Sequence, residues 1–217
     1  MEFHLSYQGP LPACNSARED FKTEPKQRIR LEFAEQLAEH WNREYTLRLA
    51  KQRGFDVVPL VDRKAEVTEL IRYNKMHFMV EMCGYHWIPI VTRANGLTCE
   101  VEIVLNRRSE PGEIFVTGDD GGDLDNRLKI LLDGLRIPLS VKECPGNLYG
   151  PGLQSNGQWL ERISLLEDDS LISKITIEAR RLNTQAKPNQ GTDWAEVLLL
   201  ARLKTLHPTP LNQGYAG

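Results

Sequence analysis

Alternation of apolar and polar residues opens the chain. Phe3, Leu5 and Tyr7 fall on one side of the first seven residues, and polar residues fall between them. Because neighbouring side chains of a strand point to opposite faces, this pattern predicts a half-buried β-strand. The run Gly9-Pro10-Leu11-Pro12 predicts where that strand stops.

Helical spacing follows. Apolar residues recur every four positions from residue 29 to residue 41, which predicts one apolar helix face between Pro25 and Arg53. Pro25 suits a first helical turn and Gly54 suits a helix end. A shorter helix is predicted over Arg63 to Tyr73.

The middle and the end of the chain favour strands. Segments His86–Val91 and Leu97–Leu105 flank Asn95-Gly96, which is typical of a β-hairpin. Further strands are predicted at three places: His77–Cys83, Leu171–Arg180 with Ile175, Ile177 and Ala179 inward, and Glu196–Leu203.

Between these strands the pattern predicts a helix and an irregular insertion. The helix runs from about Asp123 to Leu135 and closes near Gly134 and Pro138. Residues 139–160 are rich in Gly, Pro, Asn and Ser, which indicates a long insertion. We therefore expect one domain over residues 1–204, with a loose tail at 205–217. The expected class is α+β: a mixed, mostly antiparallel sheet with packed helices.

Composition and charge bear on nucleic-acid binding, cellular location and cysteine chemistry. The chain has 217 residues and a net charge of −3, which is mild evidence against non-specific nucleic-acid binding. No apolar run approaches the ~20 residues of a membrane span, and the first residues lack a signal-peptide pattern, so we expect a cytoplasmic protein. The four cysteines form no CxxC pair, which argues against zinc and favours free thiols.

Candidate chemistry begins at the second helix. Asp123 and Asp125 lie two residues apart, so in an extended segment both carboxylates project to one side and can share a divalent cation. Asp125, Lys129 and Asp133 follow at spacings of four, which predicts a charged stripe opposite the helix leucines.

A second acidic cluster, Glu167-Asp168-Asp169, precedes the strand at Leu171. Together the two clusters can hold one or two Mg²⁺ ions against a phosphodiester, with Mn²⁺ as an alternative ion. Lys129 can neutralise charge in the transition state or orient the water. Arg107, Arg108 and Arg127 are candidate phosphate contacts.

Simpler interpretations stay open for each of these residues. Asp123 or Asp125 can be a helix cap. Lys129 can form ordinary surface ion pairs, worth a few tenths of a kcal/mol. The second acidic cluster can be a solvated turn, and the arginines can be solvated surface.

The run from Gly122 through Asp123-Leu124-Asp125-Asn126, Lys129 and Asp133 to Leu135 resembles a motif of the RusA-like Holliday junction resolvases. Residues 167–172 resemble the second motif of that family. The resemblance implies a small α+β homodimer that cuts four-way DNA junctions with Mg²⁺. It implies metal ligands at Asp123, Asp125 and Asp169 and a catalytic Lys129. Asn126, Asp133 and Asp168 are expected to support the site.

Three features depart from that family, and one of them is a helical segment from Lys26 to Tyr73 that is longer than the core family needs. Asp119-Asp120-Gly121-Gly122 stands where the family is basic, and the insertion separates the two motifs. The leading hypothesis is a Mg²⁺-dependent, structure-selective endodeoxyribonuclease with branched DNA as its partner, no membrane association and no small-molecule cofactor. The alternatives are a RusA-like fold repurposed as a non-cleaving protein- or DNA-binding module, and a flap or single-strand nuclease.

Overall fold

The computed structural model describes residues 1–12, 20–42, 80–82, 85–93, 96–108, 110–112, 124–144, 160–182 and 193–208. The helices are α1 (Asp20–Asn42) and α2 (Leu124–Leu135), with short 3-10 helices at Val141–Glu143 and Asp169–Leu171. The strands are β1 (Glu2–Pro10), β2 (Val80–Met82), β3 (Tyr85–Val91), β4 (Leu97–Arg107), β5 (Leu160–Leu166), β6 (Ile172–Arg181) and β7 (Trp194–Thr205).

These strands form two sheets. The larger sheet has the order β1-β7-β4-β6, in which β7 pairs antiparallel with β1 and β4, and β6 pairs parallel with β4. The smaller sheet has the order β2-β3-β5, with β3 antiparallel to β2 and parallel to β5. The described chain is therefore α+β with mixed, mostly antiparallel pairing, as the sequence predicts at this level.

The main core lies on one face of the larger sheet. The inward residues of β1, β4 and β7 are almost fully buried there, and Ile29, Phe33 and Leu37 of α1 join them with Ile130, Leu131 and Leu135 of α2. The four-residue spacing in α1 thus marks the buried helix face, as predicted, because each helical turn returns one apolar side chain to the sheet.

Close approach of the two helices depends on Gly134. A Cβ at this position would overlap the side chain of Ile29 in α1. Gly134 lies inside α2, one residue before its end. The sequence pattern predicts that Gly134 ends the helix. In the structure Gly134 instead allows α2 to contact α1.

The predicted hairpin around Asn95-Gly96 is wrong. Gly96 has a φ of 64° and its N–H donates to the carbonyl of Arg93, so the chain does turn. The strands on either side nevertheless belong to different sheets, because β3 pairs with β2 and β5, whereas β4 pairs with β7 and β6. A local turn signal specifies the change of direction, and distant residues determine which strand becomes the neighbour.

Three element boundaries also differ from the prediction. Helix α1 begins at Asp20, so Pro25 lies inside it and not in its first turn. Strand β1 continues through Pro10. The insertion predicted at 139–160 contains the ordered Val141–Glu143 segment, and Leu160 already opens β5, a strand that the sequence pattern missed. The helix predicted at residues 63–73, the chain at 43–53 and the tail from 209 lie outside the described residues.

Cysteine chemistry differs from the expectation of four free thiols. Cys99 is a buried free thiol, and burial raises its pKa to about 12. Cys144 is in a disulfide. Separately, no helix in the described part of the chain is long and apolar enough to cross a membrane.

Candidate functional site

Helix α2 carries two of the predicted site residues on its solvent side. Asp125 lies in the first turn and Lys129 one turn later, and both side chains are exposed. Asn126 beside them is half-buried. The opposite face of α2 is buried in the core, so the helix holds these two side chains from a fixed support. Asp123, the first residue of the motif, lies outside the described residues.

Arg127 anchors the start of α2 and is not at the surface. Its side chain is buried, and its guanidinium donates to the carbonyl of Leu11 and, at 3.0 Å, to Asp193 Oδ1. These contacts fix α2 beside the end of β1 and the start of β7. Arg127 is therefore a buried, paired residue, and its phosphate contact stays a prediction. Arg107 is buried as well, and Arg108 is half-buried.

Asp133 is also not part of an exposed stripe. Its residue exposure is 4%, and it forms ion pairs with Lys26 of α1 and, at 2.7 Å, with Arg136. The helical periodicity did place it one turn after Lys129. Packing of α1 against α2 covers this last turn, however, so the supporting role predicted for Asp133 becomes a structural one.

A larger buried network continues from Asp133. Arg136 donates to Glu143, and the fully buried Arg30 donates to Glu143 and to the backbone carbonyls of Asp133 and Arg136. The network joins α1, the end of α2 and the Val141–Glu143 segment. Breaking such a buried pair leaves an uncompensated charge, which is costly.

The network shifts the pKa values of its members. Burial raises the pKa of Asp133, but the hydrogen bond from Lys26 and the charges of Arg136 and Lys26 outweigh it, so the pKa lies below its usual value. The same balance of burial against Arg136 and Arg30 lowers the pKa of Glu143. Both carboxylates are therefore held in the charged form.

The second acidic cluster forms a capped turn. Asp168 accepts a hydrogen bond from the Ser170 backbone N–H at 2.9 Å, which caps the Asp169–Leu171 3-10 helix. The hydrogen bonds from the side chain and the backbone N–H of Ser170 lower the pKa of Asp168. Glu167 accepts from the backbone N–H of Arg93 at 3.0 Å. Asp169 is exposed. These contacts favour a solvated turn as the role of Glu167 and Asp168. The side chain of Asp169 faces solvent.

Strand register shows how the two acidic motifs are placed. Asp169 lies just before Ile172, which pairs with Cys99 near the start of β4. The first turns of α2 contact Leu11 and Asp193, next to the end of β4 at Arg107. Helix α2 itself contacts the Asp169–Leu171 segment, so the two acidic motifs lie on neighbouring elements of the fold.

No assembled metal centre is present in the described residues. Within them, no three His, Cys, Asp or Glu side chains are grouped so that they could hold an ion. Asp123 is not among these residues. An ion shared by Asp123, Asp125 and Asp169 stays a prediction from the sequence.

Comparison with known proteins found no match to any family model, any curated protein or any solved structure. The resemblance to the RusA-like resolvases therefore rests on the motif residues alone.

Sequence analysis missed the buried ion network that joins α1, the end of α2 and the Val141–Glu143 segment. One signal was available, since Asp133 and Arg136 are three residues apart on a helix. The partners Lys26 and Arg30 are more than one hundred residues away in the chain. Only the packing of α1 on α2 identifies them.

Proposed function

We propose that this protein is a Mg²⁺-dependent, structure-selective endodeoxyribonuclease of RusA-like type that acts on branched DNA. The observation that supports the proposal is the exposure of Asp125 and Lys129 one turn apart on a helix whose other face is buried. A carboxylate and an ammonium held this way can be reached together by a phosphodiester. If Asp125 and Lys129 formed only a structural ion pair, a second carboxylate at Asp123 would not be needed.

The donor set suits a hard divalent cation. Asp123 and Asp125 would hold the ion, since carboxylate oxygens are the ligands that Mg²⁺ prefers. Bound there, the ion would supply an activated water and charge neutralisation at phosphate. Lys129 would hold its ammonium near the scissile phosphate and stabilise the charge that develops on it. Asn126 would support the position of the first helical turn.

A specific observation favours a second candidate, the non-cleaving binding module. Arg107 and Arg127, two of the candidate phosphate contacts, are buried, and Asp119-Asp120 stands where the family is basic. In this alternative, the fold is kept and the exposed acidic surface binds a partner without cleavage.

The two candidates differ in a cleavage assay. Labelled four-way junction, flap, duplex and single-stranded DNA would each be incubated with Mg²⁺, with Mn²⁺ and with EDTA. We expect junction cleavage with either ion and none with EDTA. Absence of cleavage on every substrate with both ions would favour the binding module, and cleavage of flaps or single strands alone would assign the other nuclease class.

Variants locate the site within this assay. Asp123→Asn and Asp125→Asn should abolish cleavage, because an amide keeps the shape and loses the charge that binds the ion. Lys129→Ala should lower the rate by on the order of 10²–10³, as does loss of one transition-state donor. Lys129→Arg should recover part of it, since a planar guanidinium replaces a compact ammonium. Lys142→Ala is the matched control, because Lys142 is exposed and lies outside the motif.

Asp169→Asn tests whether the second acidic motif serves the same ion as the first. A loss of cleavage equal to that of Asp125→Asn would show that Asp169 serves the same ion. Unchanged cleavage would restrict the site to the first motif.

A further inference from the structure

Strand β6 forms one edge of the larger sheet. Strand β6 pairs with β4 on one side, and no other described strand pairs with its second side. Ile175 lies on the core face, opposite the buried Val101, yet it is 41% exposed. Its neighbours on that face, Ile177 and Ala179, are half-buried against the core. The core therefore ends at this edge with apolar surface in solvent.

Residues along β6 are complementary to a second β6 running in the opposite direction. If Thr176 is placed opposite its own copy, Lys174 faces Glu178 of the other strand, and Glu178 faces Lys174. On the core face, Ile175 faces Ile177 in both directions. Opposite charges and apolar pairs directly across antiparallel strands stabilise the pairing, whereas like charges oppose it. A shift by one residue would place the apolar face of one strand beside the polar face of the other.

We propose that two copies of this chain associate through β6 in this antiparallel register, with the two-fold axis at Thr176. The larger sheet then continues across the axis as eight strands, and both cores lie on the same side. An isologous contact of this kind closes on itself and forms a dimer, not a filament. It also removes the exposed edge, which is otherwise a site for aggregation.

The proposal rests on the geometry of β6 and not on the proposed cleavage. It supplies a surface for the homodimer that the family resemblance implies. Mass is measured without DNA or metal ions, so a failure of the interface and a failure of the nuclease assignment are seen in different experiments.

The first test is the mass of the full chain by light scattering and sedimentation over a concentration series in the micromolar range. We expect a dimer. Ile175→Lys should shift the protein to monomer, because it places two like charges in the apolar seam. Leu198→Lys is the matched control, since Leu198 is 53% exposed on the other face of the same sheet and should leave the mass unchanged. A wild-type monomer at every concentration would overturn the proposal.

Charge exchange tests the register. Lys174→Glu and Glu178→Lys, each alone, place like charges across the seam twice and should weaken the dimer by roughly tenfold. The double variant restores opposite charges and should return most of the lost affinity. Single variants with wild-type affinity, or a double variant as weak as the singles, would refute this register.

Crosslinking tests the axis directly. Thr176→Cys places two thiols opposite each other at a cross-strand distance, so a mild thiol oxidant such as diamide should join two chains. Lys174→Cys lies about 13 Å from its own copy in this register, four residues along the strand, and should not crosslink. Equal crosslinking of the two variants would contradict the axis at Thr176.

Discussion

The two edge strands of the larger sheet, β1 and β6, differ in how far their inward side chains are buried. At β1 the inward residues Phe3, Leu5 and Tyr7 are 3%, 2% and 0% exposed, because α1 packs against them. At β6 the equivalent inward residue Ile175 is 41% exposed. Both strands alternate in sequence, so alternation alone does not determine burial. What differs is whether a helix covers the edge.

Backbone groups show the same contrast. The side-chain amide of Gln36 in α1 accepts from the Ser6 N–H at 2.8 Å and donates to the Ser6 carbonyl at 2.7 Å. Gln36 thereby takes the place of one residue of a neighbouring strand on the outer edge of β1. Among the described residues, no side chain makes such a contact with β6. The edge of β1 is closed by α1, whereas none of the described residues closes that of β6.

The largest expected effect comes from releasing α1, the helix that closes the β1 edge. Asp133→Ala removes the carboxylate that pairs with Lys26 of α1 and with Arg136, which leaves two charges at a buried site. We expect a loss of about 3–5 kcal/mol in the free energy of unfolding, measured by denaturant titration. Glu178→Ala breaks an exposed pair with Arg180 and should cause no measurable change under conditions that keep the chain monomeric.

Acid should produce the same loss in the wild-type protein. The folded-state pKa of Asp133 lies below its ordinary value of 3.8, so its contribution to stability is complete above that value and is lost as the pH falls through the folded pKa. Glu143 adds to the loss in the same direction. The stability difference between wild type and Asp133→Ala should therefore shrink below about pH 4. A constant difference down to pH 2 would show that folding does not lower the pKa of Asp133.

Sequence analysis predicted the parts of the fold that depend on local pattern. Strand β1, the helix of the first acidic motif and strands β6 and β7 were placed to within a few residues. The partners of β3 and β4 were not, because pairing depends on residues distant in the chain. Strand β5 was missed because its seven residues follow a Gly-rich stretch that predicts a loop.

At the candidate site, local spacing likewise predicted the helix face of each residue but not what packs against it. Spacing on a helix correctly placed Asp125 and Lys129 on one exposed face. The same spacing assigned Asp133 to that face, and the helix α1 covers it instead. A periodic pattern specifies direction around a helix axis, whereas the exposure of each turn depends on what packs beside it.

A truncation pair compares the two edges directly. Leu5→Ala creates a cavity beneath α1 and should cost about 2–5 kcal/mol in the free energy of unfolding. Ile175→Ala should cost on the order of 1 kcal/mol or less at concentrations where the chain is monomeric, because much of the side chain is already in solvent. Equal losses at the two positions would mean that β6 is covered in solution.

The smallest expected effect concerns the amide that closes the backbone of β1. Gln36→Ala removes two hydrogen bonds to Ser6 but little apolar contact, so we expect a loss of about 1 kcal/mol. Amide hydrogen exchange should accelerate at Ser6. Gln36→Glu keeps the acceptor and loses the donor, and it places a carboxylate against the Ser6 carbonyl, so it should restore no stability. Glu35→Ala, at the exposed neighbouring position, is the control and should leave both measurements unchanged. If Gln36→Ala exchanges as slowly as wild type at Ser6, another group protects that edge, and the contrast with β6 lies only in apolar burial.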